Sequence, residues 1–338
     1  MRRQWVFTAV CLIMAAVISG CTAAGSVSSG DISGETAAVS EDISGSGEAA
    51  PGDISDKTEM VTETSHGEYV SRERLLECRY YDEIQMAKFD EISAPYEVSG
   101  ELTAGVVTHH LLAGRMIASF FKTAAQREGI ETVVIIAPMH YPKEVEGDII
   151  TTMKGWQTPY GKLKCDSDIS ALFKERLGAA ENDEMLQYDH SASTLLPFIS
   201  RYLPGVKVSC LLVSGMADRR VPEETAQLLY EISGEKDCLF IFSADFAHYM
   251  TPEETLQRDS ETLEAIMSGD TAAIELMGDE HTDTPRCICT FIRLMGLTGG
   301  SIAEIDHSES SGEAGLPFDR GNFPEGVTSY FILGGETG

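Results

Sequence analysis

Positive charge is scarce in this chain: 25 Lys and Arg stand against 54 Asp and Glu, a formal net charge of −29, and no basic cluster follows Arg2-Arg3. Binding along a phosphate backbone needs a cationic patch, so the composition argues against nucleic acid as a partner. A membrane-spanning run is missing as well, because the apolar stretch from Val6 to Ile18 stops short of the roughly 20 residues that a spanning helix needs. There is no Gly-x-Ser-x-Gly elbow and no His-Glu-x-x-His helix, which leaves a hydrolase without a motif. No internal repeat is visible. Eight cysteines are present, but not at the spacing of a small stapled framework. Cys210 and Cys238 sit in apolar runs as small hydrophobes. Cys287 and Cys289 remain as candidates for chemistry, with Cys78 and Cys165 as outsiders.

The N-terminus does have Met1-Arg2-Arg3, the apolar stretch and then Ile18-Ser19-Gly20-Cys21. That is a charged n-region, a short h-region and a small-residue cleavage site, as in a secretory signal. Small residues before a cysteine resemble the bacterial lipobox, in which the Cys21 thiol takes a diacylglyceryl group, and two acyl chains suffice for a stable anchor. An ordinary signal peptide containing a cysteine is the alternative. Residues 1–21 are therefore expected to be a lipoprotein signal, with the mature protein anchored on the outer face of the bacterial cell membrane. Residues 22–67 are rich in Ser, Gly, Ala, Thr, Asp and Glu, lack apolar periodicity, and read as a disordered acidic tether. Residues 68–338 read as one domain with a large core.

Within that domain apolar, β-branched runs alternate with amphipathic stretches. Strands are expected at Ala104 to Val107, Thr132 to Ala137, Asp148 to Thr152, Val206 to Val213, Cys238 to Ser243, Ser301 to Asp306 and Val327 to Leu333. Helical spacing runs through Leu111 to Arg127, Asp168 to Leu177, Ser191 to Tyr202, Pro222 to Ile232, Thr251 to Met267 and Thr284 to Leu297. Several strands are apolar on both faces, as strands covered by helices on both sides should be. The fold class is α/β: a three-layer α/β/α sandwich around a parallel or mixed central sheet.

The chain has only 8 His, and three strands each release one just past their carboxyl ends. Val106-Val107 leads to His109 and His110, Ile135-Ile136 leads to His140, and Ile241-Phe242 leads to Asp245 and His248. In an open α/β sheet that edge is where ligand crevices form. Neutral imidazole is a metal donor, and a thiolate or carboxylate adds the charge that offsets the ion's desolvation. Cys287, near the start of the late helix, can present a thiolate to a positive helix end that lowers its pKa. His110 can also face solvent or cap the next helix; His281, Cys78 and Cys165 read as surface or packing residues, and His66 and His307 offer no constellation.

Thr103-Ala104-Gly105-Val106-Val107-Thr108-His109-His110, Ala137-Pro138-Met139-His140, Gly155-Trp156-Gln157-Thr158-Pro159-Tyr160-Gly161, Asp189-His190-Ser191 with Leu196-Pro197-Phe198, and Ser243-Ala244-Asp245-Phe246-Ala247-His248-Tyr249 resemble, in order and spacing, the Memo family, called AmmeMemoRadiSam system protein B in bacteria. The resemblance covers nearly the whole domain. It implies a fold similar to the class III extradiol ring-cleaving dioxygenases and a metal, iron or copper with zinc as another candidate, held by His109, His140 and Cys287. It also implies a pocket lined by Asp245, His248 and His190, with Asp245 or His248 orienting a ligand or acting as general acid or base. A radical SAM protein is an implied partner. The sequence departs from the family pattern at Thr108, where a proline is usual and the turn should loosen, and at Ile288, where a glycine is usual. Cys289 competes with Cys287 as the ligand, and the pair could instead oxidise. Two functions are open: a redox or dioxygen-handling metalloprotein, or a non-enzymatic module that displays a pocket for a peptide or small molecule.

Overall fold

The computed structural model describes residues 74–142 and 146–337. The expected signal, tether and lipidated Cys21, together with His66, lie outside the described residues. In chain order the strands are β1 (Leu76–Glu77), β2 (Glu101–Val107), β3 (Thr132–Pro138), β4 (Ile149–Thr151), β5 (Trp156–Thr158), β6 (Gly161–Cys165), β7 (Ala180–Glu181), β8 (Lys207–Val213), β9 (Cys238–Ser243), β10 (His248–Met250), β11 (Ser301–Glu309) and β12 (Val327–Thr337). They pair in the order β1-β5-β6-β8-β3-β9-β2-β12-β10, with β11 on β12, β4 on β8 and β7 on β4. From β6 through β8, β3 and β9 to β2 the pairing is parallel, whereas β12 lies antiparallel to β2. The sheet is thus mixed, and its parallel block opens all its carboxyl ends on one edge.

The β3 sequence Thr-Val-Val-Ile-Ile-Ala-Pro is buried throughout because both of its faces are covered. Val133, Ile135 and Ala137 belong to one apolar cluster and Val134 and Ile136 to another, as the period of two in a strand requires. The first cluster is filled by helices α1 (Glu83–Ile92), α2 (Gly114–Ala124) and α5 (Leu196–Tyr202) through Met86, Phe89, Met116, Phe120 and Phe198; between α2 and α5 the chain forms α3 (Ser167–Leu177) and the short α4 (His190–Ser193). The second is filled by α3, α6 (Val221–Ser233) and α8 (Pro285–Thr298) through Phe173, Leu228, Leu229, Phe291 and Leu294, with α7 (Pro252–Ser268) preceding α8 in the chain. The three-layer α/β/α architecture follows. Among the described residues no helix is long and apolar enough to cross a membrane.

Two expected helices are broken. The stretch from Leu111 begins as a 3-10 turn, Leu111–Ala113, before α2. The stretch from Ser191 is interrupted between α4 and α5, where Pro197 takes the first turn of α5 and can give no N–H to a preceding turn. Pro222 and Pro252 open α6 and α7 as expected, the latter behind a capping box of Thr251 and Glu254.

Candidate metal centre

The edge where β2, β3 and β9 end carries the polar cluster. Beyond β2, Thr108 is fully buried and gives its hydroxyl proton to Asp245 Oδ1. The same carboxylate oxygen accepts the His109 N–H at 3.2 Å, and the Thr108 hydroxyl accepts the His110 N–H at 3.2 Å. The turn expected to loosen without proline is therefore tied down by threonine.

His109 is almost fully buried, and its Nδ1 lies 2.9 Å from Ser243 Oγ at the end of β9. Ser243 donates its own proton to the Ser191 carbonyl at 2.6 Å, so its oxygen is left to accept from His109 Nδ1–H. The proton on Nδ1 leaves Nε2 with a free lone pair in the neutral ring. Beyond β3, His140 reaches the same state by another route. Its Nδ1 is 2.9 Å from Asp189 Oδ1, and its N–H donates to Asp189 Oδ2 at 2.7 Å. Asp189 is itself fixed by accepting the Ser191 N–H at 3.0 Å. A carboxylate on the far nitrogen is the usual way to orient a ligating histidine.

The two Nε2 atoms face one carboxylate oxygen. Asp283 Oδ2 is 3.2 Å from His109 Nε2 and 3.4 Å from His140 Nε2, so one largely buried carboxylate faces both rings. Its other oxygen, Oδ1, accepts the Asp245 N–H at 3.1 Å. Asp283 N–H returns a bond to the Asp245 carbonyl at 3.2 Å, and Phe246 bridges to Thr282. These contacts carry Asp283 to the rim from the loop before α8. His190, from the start of α4, completes the group: His109, His140 and His190 each offer a nitrogen within 4.8 Å of the others, a set that could hold a metal ion.

The electrostatics follow from burial among carboxylates. Burial works to lower the pKa of His140, but Asp189 and Asp283 outweigh it and push the value up to about 10. His109 is likewise raised, with Asp245 and Asp283 overcoming burial. His190 goes the other way, held well below the ordinary imidazole value by burial and by its two cationic neighbours, His140 and His109. Burial also opposes the charge on Asp283, yet the two imidazoles keep its carboxyl well below the ordinary range.

A Memo-like protein family model matches residues 93–314, well over half of the chain. The chain belongs to the Memo family. A MEMO1 family protein of Desulfurococcus amylolyticus is 28% identical over 242 residues, covering 66% of this chain and 81% of that protein. One from Methanopyrus kandleri is 26% identical over 242 residues, covering 64% and 83%. One from Pyrococcus furiosus is 32% identical over 161 residues, covering 45% and 54%. The solved structure of an uncharacterized Escherichia coli K12 protein aligns with a TM-score of 0.46 at 13% identity, over 69% of this chain and 98% of that one, too distant to carry an argument.

Of the residues that the Memo resemblance assigns, His109, His140, His190 and Asp245 meet at this edge. His248 stands on β10, paired antiparallel with Thr328, and its buried Nδ1 has no hydrogen bond. Among the described residues three histidines could hold a metal ion, and Cys287, which the resemblance assigns as a ligand, is not one of that group. Instead Cys287 is fully buried in the apolar cluster beneath α8, and burial pushes its pKa up to about 12. The helix N-terminus that was to lower it is outweighed by loss of water. Cys289 is buried too, its thiol 3.5 Å from the Thr271 carbonyl and also raised to about 12 by burial. Neither thiol is oxidised, and all six described cysteines are free. His110 takes the N-cap position of the 3-10 turn without a side-chain cap bond; its half-buried ring stacks on Tyr330, with Tyr330 Oη 2.7 Å from Nδ1.

Asp189, Ser243 and Asp283 are the site residues that sequence reasoning missed. Asp189 lay inside a quoted motif, and Asp283 stands two residues before Pro285, which marks the first turn of α8. A cavity of about 460 Å³ lies at the opposite ends of the strands, beside Thr103, Cys238 and Met295. Of the cations in its wall, Arg127 is paired with Glu101 and Asp237 and Lys236 with Asp166.

Proposed function

We propose that this Memo-family chain is an exported, lipid-anchored metalloprotein whose pocket handles dioxygen or a redox substrate on an iron or copper ion held by His109 and His140. The observation that carries the reading is that both Nδ1 atoms are committed, to Ser243 and to Asp189, which leaves the two Nε2 atoms as the positions where an ion would replace a proton. Imidazole suits iron, copper and zinc alike, and the redox ions are favoured by the family resemblance. Such an ion, when bound, supplies a Lewis-acidic, redox-active centre with open positions. The chain's own residues do the rest: burial keeps bulk water from His109, Ser243 and Asp189 fix the two rings, and Asp245 Oδ2, 3.7 Å from His109 Nε2, sets a proton-accepting group beside the same point. Export and anchoring rest on the Arg2-Arg3, apolar and Gly20-Cys21 sequence.

A second reading, a binding module without turnover, is favoured by the tyrosines next to the histidines. Tyr80 packs 5.8 Å from the His190 ring, Tyr141 packs 6.4 Å from His140 and 4.9 Å from Tyr188, and Tyr188 is exposed. A ligand that raised the melting temperature of chelator-treated protein would support that reading.

The metal reading is tested by elemental analysis of anaerobically purified protein. About one equivalent of iron or copper per chain is expected, and the double variant His109→Ala with His140→Ala should carry none. Equal metal in the two proteins would end the proposal.

A further inference from the structure

We infer that Arg286 is the receptor for an anionic group, a carboxylate or a phosphate, on a small molecule bound at the carboxyl edge of the sheet. The inference goes beyond the metal reading and stands whether or not an ion occupies the histidines.

The charge of Arg286 is badly placed for the fold. The residue stands in the first turn of α8, which holds no acidic side chain and has no side-chain cap, and the positive end of a helix disfavours a cation there. It is half-buried, with Nε shielded from solvent, so the guanidinium has given up part of its hydration. Arginines in such surroundings offset that loss with carboxylates. Arg115 does so with Asp306 and Glu313, Arg127 with Glu101 and Asp237, Arg258 with Glu261 and Arg293 with Glu223. Arg286 has no ion pair, and its side chain makes no hydrogen bond. Among the described residues no other half-buried Lys or Arg is left in that state.

A shortage of acids does not explain it, since the chain has 54 Asp and Glu against 25 Lys and Arg. Asp218, in the loop after β8, is close enough to feel the charge, but it is already engaged. It accepts the Arg220 N–H at 2.9 Å and lies 3.1 Å from Arg220 Nε, and these two bonds do more than Arg286 to hold its carboxyl below the ordinary range.

The position and the donor set give the ligand its class. Asp283, three residues before Arg286, faces His109 and His140, so the unanswered charge stands at the edge that carries the histidine cluster. A guanidinium presents parallel N–H groups that match a carboxylate or a phosphate in bidentate fashion. A neutral analogue of the ligand would leave a half-buried cation unsatisfied and should be rejected.

The full chain is titrated with inorganic phosphate and with acetate at constant ionic strength, as purified and again after chelation, so that an anion held by an ion is told apart from one held by Arg286. Binding is followed by calorimetry and by melting temperature. At least one anion should bind equally in both preparations; phosphate alone would mark a phosphate-bearing ligand and acetate alone a carboxylate-bearing one. Arg286→Gln should weaken binding by about ten-fold or more. Arg286→Lys, which keeps the charge but loses the fork, should fall between, and Arg176→Gln, on an exposed ion pair elsewhere, should match the wild type. Without anions Arg286→Gln should melt no lower than the wild type, because it abandons no partner within the fold. No binding of either anion by the chelated wild type, undiminished binding by Arg286→Gln, or a lower melting temperature of that variant in anion-free buffer would each overturn the inference and leave the metal reading untouched.

Discussion

A histidine serves as a ligand only when its second nitrogen is engaged, and here the two rings meet that condition through unlike partners, a serine hydroxyl for His109 and a buried carboxylate for His140. The difference has a measurable consequence. Asp189→Asn keeps the shape and can still accept the Ser191 N–H, but it removes the charge that orients His140. Metal affinity should fall about 10–100-fold in competition titrations while the far-ultraviolet spectrum stays unchanged; an unaltered affinity would show that Asp189 merely caps α4. At this scale the sequence was readable in part. His109 and His140 stood out because each follows directly on an apolar strand. Asp283 did not, because it belongs to no periodic element, and the pairing of Phe246 with Thr282 and the bonds between Asp283 and Asp245 bring it to the rim. Cys287 drew the eye by residue type, and it is buried on α8.

The elements themselves were legible wherever their faces are uniformly covered. Strands β3, β8 and β9 are buried at nearly every position, and a continuous apolar run bounded by turn residues marks such strands. The strands that escaped, β1, β5, β6, β7 and β10, are 2, 3, 5, 2 and 3 residues long, too short for any period to register. Close approach between elements also leaves a sequence mark only in retrospect. Gly105, in the middle of β2, would place a Cβ 2.4 Å from the Phe120 ring of α2 and 3.1 Å from the Leu333 carbonyl of β12. Gly105→Ala must push the helix or the strand aside, so it should cost about 1–3 kcal/mol. Urea denaturation should show a lower midpoint with an unchanged slope, and an equal midpoint would mean that Phe120 can swing away freely.

At the scale of the whole molecule, a tie at the other end of the sheet is expected to weaken in acid. Asp166 accepts the Thr132 hydroxyl of β3 at 2.7 Å, and both of its oxygens lie 2.9 Å from Lys236 Nζ. Burial opposes its charge, but Lys236 and Thr132 outweigh that and lower its pKa. The unfolded chain then binds the proton more readily than the folded one, so the stabilisation is in force above about pH 4, near the value for a free Asp, and is lost as the pH falls further. The wild type should lose denaturation midpoint faster than Asp166→Asn on acidification below that point, and parallel losses would exclude Asp166 as a source of the acid sensitivity. The order of the strands has a different consequence. β12 comes after every other described element of the chain, yet it lies inside the sheet, hydrogen-bonded to the strand that leads to His109. The strand that leads to His109 thus takes its antiparallel neighbour from the far end of the described sequence, and that edge of the sheet is complete only once β12 has paired.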